Sequence, residues 1–237
     1  MIIIPMLGKS SRFKNAGYSI PKFQLPLGGD TVFTYSVKSF QRYFKNVPFL
    51  FLVRSDNDSA NFVAQEVARM EIKDYRIIQF DYETKGQAES VALGISDYDD
   101  DIPLIIFNID TIRLNFKMPS EDKFADGFLE VFKADGDAWS FVDPGEDEKV
   151  LRTSEKQRIS DLCSNGLYGF AKCKYFRLAY EDYLRSNKQV NGEIYIAPLY
   201  NYLINEGFDI RYTLIENRDI KNCGIPEDYE KLLKDYI

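Results

Sequence analysis

Histidine does not occur anywhere in the 237 residues. Its absence removes serine–histidine–aspartate and cysteine–histidine nucleophilic chemistry, and with them every metal centre built on imidazole. Catalysis by this chain must draw on carboxylates, lysine, arginine and backbone donors. A reaction whose nucleophile is already ionised near neutral pH, such as a phosphate monoester, fits that inventory because it needs no strong general base. Cysteine is scarce too. Cys163, Cys173 and Cys223 are odd in number and lack the spacing of a metal site, a pattern expected of reduced thiols in a cytoplasm. No apolar run approaches the roughly 20 residues of a membrane-spanning helix, so no membrane partner is expected. The apolar opening, Met1 to Leu7, has no basic segment ahead of it and is closed by Lys9, unlike a secretory signal. Basic charge is also in deficit. A formal net charge of −7, a pI near 4.9 and the lack of any basic run argue against a nucleic-acid partner.

What is present is a chain with 45% hydrophobic and 28% charged residues, enough for one sizeable globular domain spanning 1–237 with a real core. Repeats, low-complexity tracts and linkers are missing. The β-branched run at Ile2 to Ile4 predicts a buried strand that breaks at Pro5. Thr31 is placed to cap a helix with Phe33, Val37 and Phe40 on one face. Strands are expected over Pro48 to Arg54 and Tyr75 to Phe80, with a helix carrying Val63, Val67 and Met70 between them. A further helix over Gln87 to Ile95 precedes the strongest strand signal, Pro103 to Asp110. This alternation predicts a parallel α/β sheet with helices on both faces, whose ligands sit at the carboxyl ends of strands. Leu7 to Arg12 and Asn108 to Asp110 both fall at such ends.

The second half is less regular. Ala138 to Val142 and Ser164 to Phe170 read as strands separated by a charged stretch, Glu146 to Arg158. Helices are expected over Phe176 to Leu184 and Ala197 to Asn205, with Pro198 in the first turn of the latter and Gly207 as its stop. Arg211 to Ile215 follows as a strand. A last helix opens at Pro226 with Glu227 and Asp228 at its positive end.

Several segments carry chemistry. Gly8, Ser10 and Ser11 are small enough to let backbone N–H groups approach a phosphate, and Arg12 and Lys22 supply two cations of different shape nearby. Each feature taken singly is equally an ordinary loop with solvated charges. Together, Gly8-x-Ser-Ser-Arg12 followed by Pro21-Lys22 resembles the N-terminal signature of the nucleoside-triphosphate transferases that make nucleotide sugars. Those enzymes usually carry G-x-G-[ST]-R, a variable loop and then P-K. Ser10 stands here where their second glycine stands. Further matches follow in the family's order. They are Thr84-Lys-Gly-Gln87, Asp110 after an apolar strand, Glu155-Lys156 ahead of Asn165-Gly166-Leu-Tyr168, Gly192-Glu193-Ile-Tyr195, and Asn222-Cys-Gly-Ile-Pro-Glu-Asp228 for the family's D-x-G-T-P-E-D.

The resemblance implies a Rossmann-like, mixed but mostly parallel sheet of the nucleotide-diphospho-sugar transferase type. It places a nucleotide-binding half in 1–110 and an acceptor-binding half in 111–237. It implies that Leu7, Gly8, Ser10, Ser11 and Asn108 contact the nucleotide, with Gly86 and Gln87 at the base edge. Arg12, Lys22 and Lys156 become the catalytic cations. Asp110 and Asn222 become ligands of Mg2+, the second through a neutral carbonyl where the family has an aspartate. Asn165, Gly166, Tyr168, Glu193 and Tyr195 line the acceptor pocket. The expected activity is transfer of a nucleotidyl group from CTP, UTP or dTTP to a phosphorylated acceptor, with pyrophosphate released. A sugar phosphate destined for surface polysaccharide is the first candidate, and phosphocholine or another phospho-metabolite the second. The rivals are a metal-dependent glycosyltransferase using Asn108-Ile-Asp110, and a non-catalytic nucleotide-binding protein.

Overall fold

The computed structural model describes residues 1–186 and 192–235. Its strands in chain order are β1 (Ile2–Met6), β2 (Pro26–Leu27), β3 (Asp30–Thr31), β4 (Phe49–Arg54), β5 (Tyr75–Phe80), β6 (Leu104–Phe107), β7 (Thr111–Arg113), β8 (Gly127–Lys133), β9 (Ser140–Pro144), β10 (Val150–Glu155), β11 (Leu162–Phe170), β12 (Ile210–Leu214) and β13 (Ile220–Asn222). The α-helices are α1 (Ser11–Asn15), α2 (Val32–Lys38), α3 (Ser59–Arg69), α4 (Gln87–Gly94), α5 (Glu121–Phe124), α6 (Cys173–Ser186), α7 (Tyr200–Asn205) and α8 (Pro226–Asp235). This is the mixed α/β architecture expected from the sequence.

Contacts divide the described residues into two units, neither continuous in sequence. One is drawn from Ile2–Glu83, Asn108–Phe116 and Arg218–Ile237, the other from Met1, Thr84–Phe107 and Lys117–Asn217. In the first, β4 pairs in parallel with both β1 and β5. All five residues of β1 and the first five of β4 are buried, which explains why both read as unbroken apolar runs. β1 does not break at Pro5 as expected. The ring's fixed φ suits extended backbone, so the missing N–H costs one ladder bond while Ile4 and Met6 keep register with Phe51 and Val53. The Thr31 cap forms as expected, its hydroxyl accepting the Thr34 N–H at 3.2 Å.

The expected strand over 103–110 is shorter than its apolar pattern. Pairing stops at Phe107, and a turn closed by Thr111 N–H on the Asn108 carbonyl (3.2 Å) leads into β7. Asp110 therefore lies in a turn rather than at a strand end. β7 pairs antiparallel with β13, setting Thr111 opposite Asn222. One apolar cluster of this unit buries Phe13, Leu25, Val32, Ile112, Cys223 and Tyr229, among others. Phe13, Tyr18 and Tyr229 meet edge to face at 5.5–6.0 Å.

In the second unit, β11 pairs antiparallel with β6, β8 and β9, β9 with β10, and β12 joins β8 in parallel. β8 and β10 lack the clean alternation that announces a strand. Glu130 interrupts the apolar run of the first, and the second is largely polar and lies inside the charged stretch. The strand expected at 138–142 begins later, at Ser140. The helix expected over 197–205 starts as a single 3-10 turn, Ala197–Leu199, before α7. No helix among the described residues is long and apolar enough to cross a membrane.

Tyr200 ties this unit together. Its fully buried ring stacks on Phe170 at 4.6 Å, and its hydroxyl, the donor, lies 2.8 Å from the Gly169 carbonyl and 3.0 Å from that of Phe128. Tyr200→Phe should therefore cost about 1–2 kcal/mol of stability, because the ring survives and the shared hydrogen bond does not. Urea unfolding would show a lower midpoint at unchanged slope, and an unmoved midpoint would contradict the assignment.

Candidate active site

The apolar cluster of the first unit explains how residues far apart in sequence are brought to one place. Phe13 follows Arg12, Ile112 lies two residues past Asp110, Cys223 follows Asn222, and Leu25 lies just past Lys22, so each candidate segment has a neighbour planted in the same core. From β1 the chain passes Leu7, half-buried, and Gly8, exposed, to Lys9, whose ammonium pairs with Glu83 at 2.7 Å. Ser10 then adopts a left-handed conformation (φ 52°, ψ 36°). That conformation costs a side-chain-bearing residue roughly 1–2 kcal/mol and suits the glycine that the resembling enzymes carry there. It turns the backbone into α1, where Ser11 and Arg12 are exposed and Lys14 N–H reaches the Ser10 carbonyl at 3.0 Å. The Ser10 hydroxyl does not cap this helix. It accepts the backbone N–H of Lys22 at 3.2 Å.

Lys22 opens a 3-10 turn directly after Pro21 and sends its ammonium to Oδ2 of Asp110, 2.5 Å away. The two side chains are 21% and 25% exposed, so the pair is poorly screened by solvent. Burial pushes the Asp110 carboxyl up. The Lys22 charge and hydrogen bond, the local backbone and the charge of Arg12 outweigh it and hold the group below the ordinary carboxylate range. The Asp110 carbonyl accepts the Cys223 N–H at 2.8 Å and also faces Cys223 Sγ at 3.2 Å. Burial and the Asp110 charge push the Cys223 thiol up to about 12, so it stays protonated near neutral pH.

The residues expected to hold Mg2+ meet a simple test. A Cβ on Gly224 would lie 3.0 Å from Asp110 Oδ2, so the glycine keeps space open beside the carboxylate. Among the described residues, no group of three or more acidic, thiol or imidazole side chains converges on one point. A cation here would find one carboxylate, the neighbouring Asn222, water and phosphate oxygens. That donor set suits Mg2+, which keeps several waters and borrows phosphates, and it makes an all-protein cage unnecessary.

The second unit holds the remaining candidates in two groups. At the surface, Lys156 closes β10 in a left-handed conformation (φ 54°), an unusual state for lysine. Its ammonium sits 4.5 Å from the centroid of the Tyr195 ring and donates to the Tyr195 hydroxyl, which donates in turn to Glu193. Burial pushes the adjacent Glu155 carboxyl up. The Ser140 hydroxyl and Lys156 oppose the shift, and Glu193 adds to it. Gly86 and Gln87 belong to the same assembly. Ile194 N–H donates to the Lys85 carbonyl at 2.6 Å, and Ala88 N–H donates to the Ile194 carbonyl at 3.0 Å. Gly86 has φ 129°, and a Cβ there would stand 2.7 Å from both N and O of Ile194, so only glycine fits. In the other group, Asn165 and Tyr168 are 2% and 4% exposed. Asn165 donates to Glu130 at 2.8 Å and accepts the Leu167 N–H at 3.0 Å, while Gly166 (φ 85°) occupies the irregular middle of β11. Lys156, Glu193, Tyr195, Gly86 and Gln87 thus come together, while Asn165, Gly166 and Tyr168 lie buried on β11 of the same unit.

Sequence reading did not single out Ser140, Glu130 or Ile194. Their roles arise from pairings across many residues, and none stands in a motif of its own type. For Ile194 a faint signal exists, since it lies between two acceptor candidates.

No family model and no curated protein matches the chain. Solved structures do. A nucleoside-diphosphate-sugar pyrophosphorylase from Vibrio cholerae RC9 is 45% identical with a TM-score of 0.93, the match covering 99% of this chain and 100% of that one. A UDP-glucose pyrophosphorylase complexed with UDP-glucose is 15% identical (TM-score 0.79; 99% and 97% covered). The inositol-1-phosphate CTP transferase from T. maritima is also 15% identical (TM-score 0.74; 99% and 95% covered). The latter two share the fold.

The depressed Asp110 value fixes the sign of a pH effect. A carboxyl held lower in the folded chain than its ordinary 3.8 stabilises the fold fully above that value, and the contribution is lost as pH falls through the folded value. Asp110→Asn should therefore be less stable than wild type near neutrality, with the gap closing only as pH falls below about 4. Urea unfolding across that range checks it, and a gap that widens on acidification would contradict the ion pair.

Proposed function

The chain belongs to the nucleoside-diphosphate-sugar pyrophosphorylase family of nucleotidyltransferases, and on that premise we propose that it joins a pyrimidine nucleoside triphosphate (CTP, UTP or dTTP) to a sugar phosphate. The observation that carries the reading is the Lys22–Asp110 pair at 2.5 Å, next to an amide-rich loop and close enough to Arg12 to feel its charge. A phosphate oxygen of the acceptor attacks the α-phosphorus, the α–β phosphoanhydride bond breaks, and its electron pair leaves with pyrophosphate. A phosphate monoester is already ionised at neutral pH, so no side chain need take a proton, as befits a chain without histidine.

The backbone of Leu7, Gly8, Ser10 and Ser11, with Arg12, holds the β- and γ-phosphates. Lys22 turns from Asp110 to the charge that builds at the α-phosphate, and Asn108 contributes to the nucleotide site. Asp110 and Asn222 would hold Mg2+, which supplies further charge neutralisation when bound. Gln87, whose amide both donates and accepts, reads the base edge. Lys156 orients the acceptor phosphate, while Glu193 and Tyr195, with Asn165, Gly166 and Tyr168, meet the rest of the acceptor. Rate enhancement then comes from positioning and preorganised charge. The reading places the enzyme in the cytoplasm with its nucleotide substrate and its product upstream of surface polysaccharide.

A specific observation favours a second acceptor class. The Tyr195 face already carries a cation, Lys156, beside the carboxylate of Glu193. A phosphorylated choline or similar cationic acceptor would suit such a place. Glu193→Gln separates the two, since loss of charge harms a cationic acceptor severely and a neutral sugar less.

Pyrophosphate release, measured over a panel of nucleoside triphosphates and phosphorylated acceptors, tests the reading. Turnover should need a divalent cation and prefer a pyrimidine nucleotide, and equal use of GTP would overturn the base assignment. Lys22→Ala and Arg12→Ala should each lower kcat/KM by on the order of 10²-fold. Wild-type kinetics in both would reduce the loop to ordinary surface.

A further inference from the structure

The Ser10 hydroxyl faces away from the duty its position normally assigns. A serine at the start of a helix usually turns its oxygen onto the first free N–H groups of that helix. Ser10 stands at the start of α1 and makes no such bond. It also holds a left-handed backbone conformation, in which a glycine would be unstrained. Both features are unfavourable locally, and a single long-range bond accompanies them: Oγ accepts the backbone N–H of Lys22 at 3.2 Å. That N–H lies at the start of the 3-10 turn Lys22–Gln24, where no intrahelical partner exists for it. Pro21 precedes it and has no N–H to offer instead. The bond fixes the root of the lysine whose ammonium lies 2.5 Å from Asp110.

We propose that Ser10 is a positioning residue for Lys22. Its hydroxyl pins the lysine backbone to the opening loop, so that only the side chain has to turn from Asp110 when the nucleotide arrives. A glycine at this position leaves the loop free to bend and leaves the lysine turn untethered. The proposal rests on the role given to Lys22 above.

The test is a double-mutant cycle read by single-turnover pyrophosphate release. Ser10→Gly removes the backbone strain and the tether together, so its Tm should stay close to wild type. Its kcat should fall roughly tenfold, the equivalent of one hydrogen bond, while KM for the nucleotide moves little. In a Lys22→Ala background, Ser10→Gly should bring no further loss, because the group it positions is gone. Ser10→Asn should recover most of the rate, since asparagine tolerates the left-handed conformation and offers an acceptor. Wild-type turnover in Ser10→Gly overturns the proposal. So does a loss that multiplies with that of Lys22→Ala, or one that tracks a lowered Tm and is not recovered by asparagine. Unaltered turnover in Lys22→Ala alone would remove the role given to Lys22, and the tether with it, while leaving nucleotidyl transfer itself standing; a slow Lys22→Ala beside a normal Ser10→Gly removes only the tether.

Discussion

A lysine and an aspartate 88 residues apart in sequence, each only about a quarter exposed, meet at 2.5 Å. Holding two charges in so little water is favourable only if each is fixed in place, because a partly desolvated charge without its partner is costly. Much of the first unit serves that end. The cluster around Phe13, Ile112, Cys223 and Tyr229 anchors the residues next to Arg12, Asp110 and Asn222. The β7–β13 ribbon sets the turn that bears Asp110 against the segment that bears Asn222. The Ser10 hydroxyl and Pro21 set the start of the lysine turn. Without a ligand the two charges satisfy each other. Under the proposed function, a polyphosphate with its cation would offer each a better partner: anionic oxygens for the ammonium and a metal for the carboxylate.

The acceptor candidates follow another physical logic. Three exposed or half-buried polar side chains, Lys156, Tyr195 and Glu193, link in series on a backbone that carries its strain locally, in the left-handed Lys156 and in Gly86. Outliers of this kind tend to gather where a site must be preorganised. The backbone clamp on Ile194 makes the segment that bears Gln87 and the segment that bears Glu193 and Tyr195 a single mechanical piece. In the same unit the buried Asn165–Glu130 hydrogen bond joins β11 to β8 and holds the irregular middle of β11 in one arrangement.

Much of this was legible in the sequence where the pattern is local. The α/β alternation, the Thr31 cap, the helix opening at Pro226 and the strand at Tyr75 to Phe80 each rest on residues within a few positions of one another. Pro5 misled because its ring breaks a helix more surely than it breaks an extended strand. Asp110 was found but placed at the end of a strand, since Ile109, past a single polar Asn108, carries the apolar pattern beyond the point where pairing stops. β8 and β10 went unseen because a strand with a buried glutamate, or with polar residues, does not show a period of two. The pairings of Ser10 with Lys22, Ser140 with Glu155 and Asn165 with Glu130 join residues a dozen to a few dozen positions apart. A single sequence does not encode such pairings in any periodicity.

The central claim is that one α-phosphorus changes partners while the anhydride beyond it is released intact. Its most direct measurement follows a label placed on that atom. The protein, Mg2+, a phosphorylated acceptor and a pyrimidine triphosphate labelled at the α-phosphorus should yield a diphosphate-linked product that carries all the label, with unlabelled pyrophosphate in equal amount. Label that remains in a nucleoside diphosphate, with the γ-phosphate released or passed on, would contradict the account. So would the absence of any turnover with labelled triphosphate when a nucleotide sugar serves as a glycosyl donor.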